Sequence, residues 1–117
     1  MVYIANSFSL QMLPYDSSPI VDSLSVSKVK KYLEGIINTD ITKSIVGHSD
    51  IAKIISTQLG FEVPMNRESI SLDKYDIMYV AQYFGPRLPE GTTVLPDDAT
   101  IQWYKVNIIP NQKIRIE

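Results

Sequence analysis

The 117-residue chain contains no cysteine and a single histidine, His48. The first absence rules out disulfide stapling, thiolate nucleophiles and zinc–thiolate centres. The second rules out a metal centre built from several histidines of one chain. Positive charge is not in excess: 11 Lys and Arg stand against 13 Asp and Glu, a formal net charge of −2. Domains that coat duplex DNA in phosphate contacts are strongly basic, so sequence-specific DNA binding is not expected. A small phosphate ligand held by a few local groups stays compatible with that charge. No apolar run approaches the ~20 residues of a membrane helix, and the opening residues lack the charged and apolar blocks of a secretory signal. The expectation is no membrane association and a cytoplasmic location. Walker loops, dinucleotide glycine motifs, Ser/His/Asp arrangements and metal-ligand spacings are also missing.

What is present is an ordinary globular composition, 44% hydrophobic and 21% charged, at a length that suits one domain over residues 1–117. Val2 to Ala5 reads as a buried strand and Ile20 to Leu24 as a second. Ser25 or Ser27 then caps a helix in which Val26, Val29, Leu33, Ile36 and Ile37 recur at helical spacing. Its lysines, Lys28, Lys30 and Lys31, read as a solvated face. Residues 38–47 form a connector, and a second helix runs from about Ser49 to Leu59, with Ile51, Ile54, Ile55 and Leu59 on one face. Gly60 stops it. Ser69 to Leu72 reads as a short strand. Asp76 to Tyr83 is near-continuously apolar, as a central strand covered on both faces should be. Strands at Ile101–Ile109 and Lys113–Ile116, with a turn at Pro110-Asn111, complete the pattern. The fold class is therefore α/β: one domain with a mixed sheet of about five strands flanked by helices.

In such folds functional loops gather at strand ends. Three polar segments occupy such positions: Asn6–Ser9, Gly47–Asp50 and Gln82–Glu90. His48, the one side chain whose unperturbed pKa lies near neutrality, sits at the start of the second helix. Free backbone N–H groups and partial positive charge make a helix start a natural phosphate site. The same position suits a helix cap or an exposed side chain. Arg87 and Glu90 lie in the Gly- and Pro-rich loop Gly85–Gly91, where an arginine can grip a phosphate or form an exposed ion pair with its neighbour. Arg67 is a second cation. Asn6, Ser7 and Ser9 can donate to ribose or phosphate, or simply cap the strand end. The seven tyrosines and Trp103 read as packing rather than as a base-stacking surface. Taken alone, these residues describe a small α/β domain with an anion site.

Their order along the chain carries a resemblance. Val2-Tyr3-Ile4-Ala5-Asn6-Ser7-Phe8-Ser9 with Met12-Leu13 opens the series, followed by Gly47-His48 and Asn66-Arg67. Tyr79-Val80 with Gln82, and then Arg87-Leu88-Pro89-Glu90-Gly91, complete it. Over nearly its whole length the chain resembles the small viral ring-nuclease anti-CRISPR family, found in archaeal viruses, bacteriophages and some type III CRISPR loci. The resemblance implies metal-independent cleavage of cyclic tetra-adenylate, the second messenger of type III CRISPR defence, in the cytoplasm of the infected host cell, with no cofactor. It implies catalytic roles for His48, Arg87 and Glu90. It also implies ligand contacts from Asn6, Ser9, Ser49, Arg67, Gln82 and Arg87.

The chemistry such a family performs needs no metal if the ribose 2′-hydroxyl attacks its own adjacent phosphate, because the nucleophile is already tethered. His48 would then protonate the departing 5′-oxygen, Arg87 would stabilise charge on the phosphorane, and Glu90 would orient His48 or Arg87. A four-fold nucleotide ring contains a two-fold axis, which matches a symmetric homodimer. The competing expectation is a binding protein without catalysis, a regulator or a sponge for a nucleotide messenger.

Overall fold

Strand β4 (Ile77–Phe84) directs Met78 and Val80 to one side and Tyr79 and Ala81 to the other, all four buried. This two-sided apolar strand takes the middle of a five-stranded sheet. The computed structural model describes residues 1–111. Within them the elements are β1 (Val2–Ala5), a 3-10 turn (Leu10–Met12), β2 (Ser17–Leu24), α1 (Val26–Leu33), β3 (Thr42–Ser44), α2 (Ser49–Leu59), β4 and β5 (Thr100–Pro110). The strand order is β2-β5-β4-β1-β3. Strand β1 runs parallel to both β3 and β4, pairing Ile4 with Ser44 on one side and Tyr79 on the other. Strand β5 runs antiparallel to β4 and β2, with Trp103 opposite Ala81 and Leu24. The sheet is mixed, as expected.

Both helices lie on one face. Val29 and Leu33 of α1 and Ile51, Ile55 and Leu59 of α2 pack with Ile4, Tyr79, Ala81 and Trp103. The opposite face is covered without a helix, by Phe8, Met12, Leu13, Ile70 and Leu72 over Ala5, Met78, Val80, Val106 and Ile108. Burial of each large apolar side chain contributes about 1.5–3 kcal/mol. Trp103, at 1% exposure, is the largest buried, and its indole N–H finds Gln58 Oε1 at 3.3 Å. Among the described residues no helix is long and apolar enough to cross a membrane.

The structure departs from the sequence expectations at several places. Residues 38–47 are not a plain connector, because Thr42–Ser44 adds a fifth strand beside β1. Residues 69–72 form no strand. Leu72 donates its N–H to the Met12 carbonyl at 2.8 Å instead, which presses Ile70 and Leu72 under the sheet. Helix α1 ends at Leu33, short of Ile36 and Ile37, and the Ile36 carbonyl is taken by the hydroxyls of Thr39 (2.5 Å) and Thr42 (2.8 Å). Ile36 and Ile37 still pack on the core from a turn. Strand β2 starts at Ser17, three residues earlier than expected. Pro110, expected in a turn, is the last residue of β5 and closes the β2–β5 ladder, and the Asn111 N–H bonds the Asp16 carbonyl at 3.0 Å. The strand expected at Lys113–Ile116 lies outside the described residues.

Candidate functional site

Strands β3, β1 and β4 point the same way, so the chain leaves all three at one edge of the sheet. Ligand crevices of open α/β sheets form outside such carboxyl ends. Here that edge holds Asn6 after β1, Val46–His48 between β3 and α2, and Gln82 with the loop after β4. Together with residues 65–67 they enclose an open concavity of about 920 Å³, near the upper end of the ~300–1,000 Å³ usual for small-molecule sites. Asn6, His48, Ser49, Arg67, Gln82, Arg87 and Glu90 all line it. Ser9 does not. Its Oγ accepts the Gln11 N–H at 3.3 Å and caps the 3-10 turn.

His48 is the N-cap of α2, with extended backbone (φ −130°, ψ 121°) and Nδ1 accepting the Ile51 N–H at 3.3 Å. It is also exposed and faces the concavity. Capping and a ligand-facing position therefore coexist. A nitrogen that accepts a backbone N–H carries no hydrogen, which leaves the hydrogen of the neutral ring on Nε2. Just before it, the Gly47 peptide is clamped at both ends. Asn6 Oδ1 accepts its N–H at 3.1 Å, and Arg67 gives Nη2–H and Nε–H to its carbonyl at 3.1 and 3.4 Å. A Cβ at Gly47 would meet only Arg67 side-chain carbons and nitrogen, 3.8 Å away at the nearest, so the fold itself does not demand glycine there.

Arg67 is held in place by the strand-like segment that carries it. Met65 bridges Val46 in parallel, the Asn66 N–H bonds the Val46 carbonyl at 2.8 Å, and Asn66 Nδ2 reaches the Ser44 carbonyl at 2.8 Å. Beside it Lys43 pairs with Glu68 at 2.5 Å, and this hydrogen-bonded ammonium holds the Glu68 carboxyl below its ordinary range. The loop after β4 is rooted differently. Gly85 comes so close to Ala99 that a Cβ would lie 2.7 Å from its methyl and 2.9 Å from the Tyr83 hydroxyl. That hydroxyl donates to the Pro86 carbonyl at 2.6 Å. Beyond this root come Arg87 and then a turn from Pro89 to Thr92, with Gly91 at φ 85°, that carries Glu90. The exposed ion pair between Arg87 and Glu90 is not formed, and among the described residues no group pairs with the Arg87 guanidinium. Gln82, half-buried, spends one amide hydrogen on the Tyr83 carbonyl at 3.4 Å.

Two polar lining residues were not expected from the sequence as ligand positions: Tyr83, and Asp50, which is buried in the first turn of α2. An acidic residue two places after the lone histidine was the available signal. Among the described residues no three His, Asp or Glu side chains gather as a metal-ligand set.

The model of the STIV B116-like family matches residues 2–105 of the chain. One relative, "Uncharacterized protein 26" of Sulfolobus islandicus filamentous virus (isolate Iceland/Hveragerdi), is 33% identical over 95 residues, which cover 80% of this chain and 76% of the relative. Among solved structures, B116 of Sulfolobus turreted icosahedral virus shares the fold with a TM-score of 0.76 at 22% identity. That match covers 91% of this chain and 97% of B116.

Proposed function

The chain belongs to the STIV B116-like family of archaeal-virus proteins, and from that premise we propose that it is a metal-independent ring nuclease that cleaves cyclic tetra-adenylate. The single observation that carries this reading is convergence. His48, Arg67, Arg87, Glu90, Asn6 and Gln82 come from four separate segments and meet in one concavity over the N-terminus of α2. A polyphosphate ligand fits that meeting place, since the helix end offers N–H donors and Arg87 an unpaired guanidinium.

In this reading the 2′-hydroxyl attacks its neighbouring phosphate, and Arg87 with the backbone N–H groups near His48 stabilises the phosphorane. Asn6, Ser49 and Gln82 hold the sugar and phosphate in line. His48 delivers a proton to the 5′-oxygen. To do so as imidazolium it must give up the Ile51 N–H, because Nδ1 cannot both carry a hydrogen and accept one. A ligand phosphate that takes over the Ile51 N–H makes the exchange possible, and Glu90, which lines the same concavity, would receive the new Nδ1–H. Two protomers related by a two-fold axis would each set one His48 against opposite phosphates of the ring. The products would be two linear diadenylates ending in 2′,3′-cyclic phosphate, and loss of the messenger would silence type III CRISPR signalling in the infected cell.

The His48 cap also favours a second reading, a sponge that binds the messenger intact, because a capping Nδ1 leaves only Nε2–H for contact. Labelled cyclic tetra-adenylate, incubated with the protein without metal and resolved into free, bound and cut ligand, separates the two. Cut ring supports the nuclease, tightly bound intact ring supports the sponge, and neither outcome rejects both.

A further inference from the structure

The reaction above names a group that protonates the leaving oxygen but none that takes the proton of the attacking hydroxyl. We propose that Asp50 is that group, the general base that accepts the 2′-hydroxyl proton; the inference rests on the ring-nuclease reading.

Asp50 keeps only 7% of its surface exposed, and what remains lines the concavity. A carboxylate this buried ordinarily collects hydrogen bonds or a cation. Among the described residues none donates to it and none pairs with it. Neither of its oxygens is sealed off without a partner, so each keeps some accessible surface in a residue that lines the concavity. A helix-dipole role alone does not account for an unpaired carboxylate in the wall of a cavity for a polyanion, where it repels phosphate. A donor on the ligand resolves that conflict, and the reactive 2′-hydroxyl is such a donor.

His48 at the N-cap and Asp50 two places on stand at the same end of α2, and both line the concavity. An in-line displacement needs its base and its acid on opposite sides of the phosphorus, and a ring phosphate seated between the two side chains meets that need. The step balances: the proton of O2′ passes to the Asp50 carboxylate as the O2′–P bond forms. The P–O5′ bond breaks as O5′ takes a proton from His48, and exchange with water restores both side chains. The other titratable or charged groups facing Asp50 across the concavity are Arg67 from the segment after α2, Tyr83 at the end of β4, and Arg87 and Glu90 from the following loop.

Single-turnover cleavage of labelled cyclic tetra-adenylate across pH, for wild type, Asp50→Asn, Asp50→Glu and Glu90→Gln, tests the assignment. Binding of a ring with 2′-O-methyl groups and the melting temperature serve as controls. Asp50→Asn should stay folded and bind the methylated ring, cleave about 10²–10⁴-fold more slowly, and lose the fall in rate on the acid side. Asp50→Glu should retain part of the rate and that acid-side fall, and Glu90→Gln should retain the fall. An Asp50→Asn protein that cleaves like wild type, or that slows with the acid-side fall intact, overturns the proposal while leaving the nuclease reading standing. A wild-type protein that does not cleave overturns both.

Discussion

His48 has two jobs in this structure, and two substitutions separate them. Its Nδ1 caps α2 by accepting the Ile51 N–H at 3.3 Å, while the same ring faces the concavity. His48→Ala removes both. Loss of an N-cap costs about 0.5–2 kcal/mol, and the long bond here argues for the lower half of that range. For a chain of this length 1 kcal/mol lowers Tm by about 3–6 °C. His48→Asn removes the imidazole but supplies one of the best capping side chains, so its Tm should equal or exceed that of wild type. Cleavage should fall at least about 100-fold in both variants, since neither can protonate the 5′-oxygen. Thermal melting and single-turnover cleavage, run side by side, give the four numbers required. A His48→Asn protein as unstable as His48→Ala refutes the capping role. One that cleaves at the wild-type rate refutes the catalytic role.

Three further substitutions address the rest of the site. Arg87→Ala removes an exposed guanidinium with no protein partner among the described residues. Stability should stay within about 0.5 kcal/mol of wild type, while cleavage drops about 10²–10³-fold; a matching loss of Tm would show that Arg87 is structural. Gly85→Ala forces a methyl to 2.7 Å from Ala99 and disturbs the Tyr83–Pro86 bond, so it should destabilise by about 1–3 kcal/mol and slow cleavage by displacing Arg87. Unchanged melting would contradict the rooting of that loop. Ser9→Ala should leave cleavage untouched, because Ser9 caps the 3-10 turn away from the concavity, and a slowed reaction would return it to the site.

The parts of the fold that periodicity controls were visible in the sequence. Helix α2 follows from Ile51, Ile54, Ile55 and Leu59 on one stripe and from Gly60, which ends it in the left-handed conformation at φ 78°. Strand β4 follows from its unbroken apolar run. Strand β3 was not visible, since Thr42-Lys43-Ser44 has no apolar pattern and becomes a strand only by pairing with β1. The reverse holds for residues 69–72, where Ile70 and Leu72 alternate like a strand but pack as loop beneath the sheet. The site was legible as a set of loops at strand ends. Its internal wiring was not: the clamp of Asn6 and Arg67 on the Gly47 peptide joins residues 41 and 20 positions apart. The burial of Asp50 in the wall of the concavity likewise exists only once the fold surrounds it.

Product identity tests the central claim most directly. Cyclic tetra-adenylate is incubated with the protein in excess EDTA, and the products are resolved by chromatography and mass. Linear diadenylate ending in 2′,3′-cyclic phosphate, formed at the rate seen without chelator, is the predicted result. Intact ring, activity abolished by EDTA, or products ending directly in 5′-phosphate would contradict a metal-independent attack by the 2′-hydroxyl.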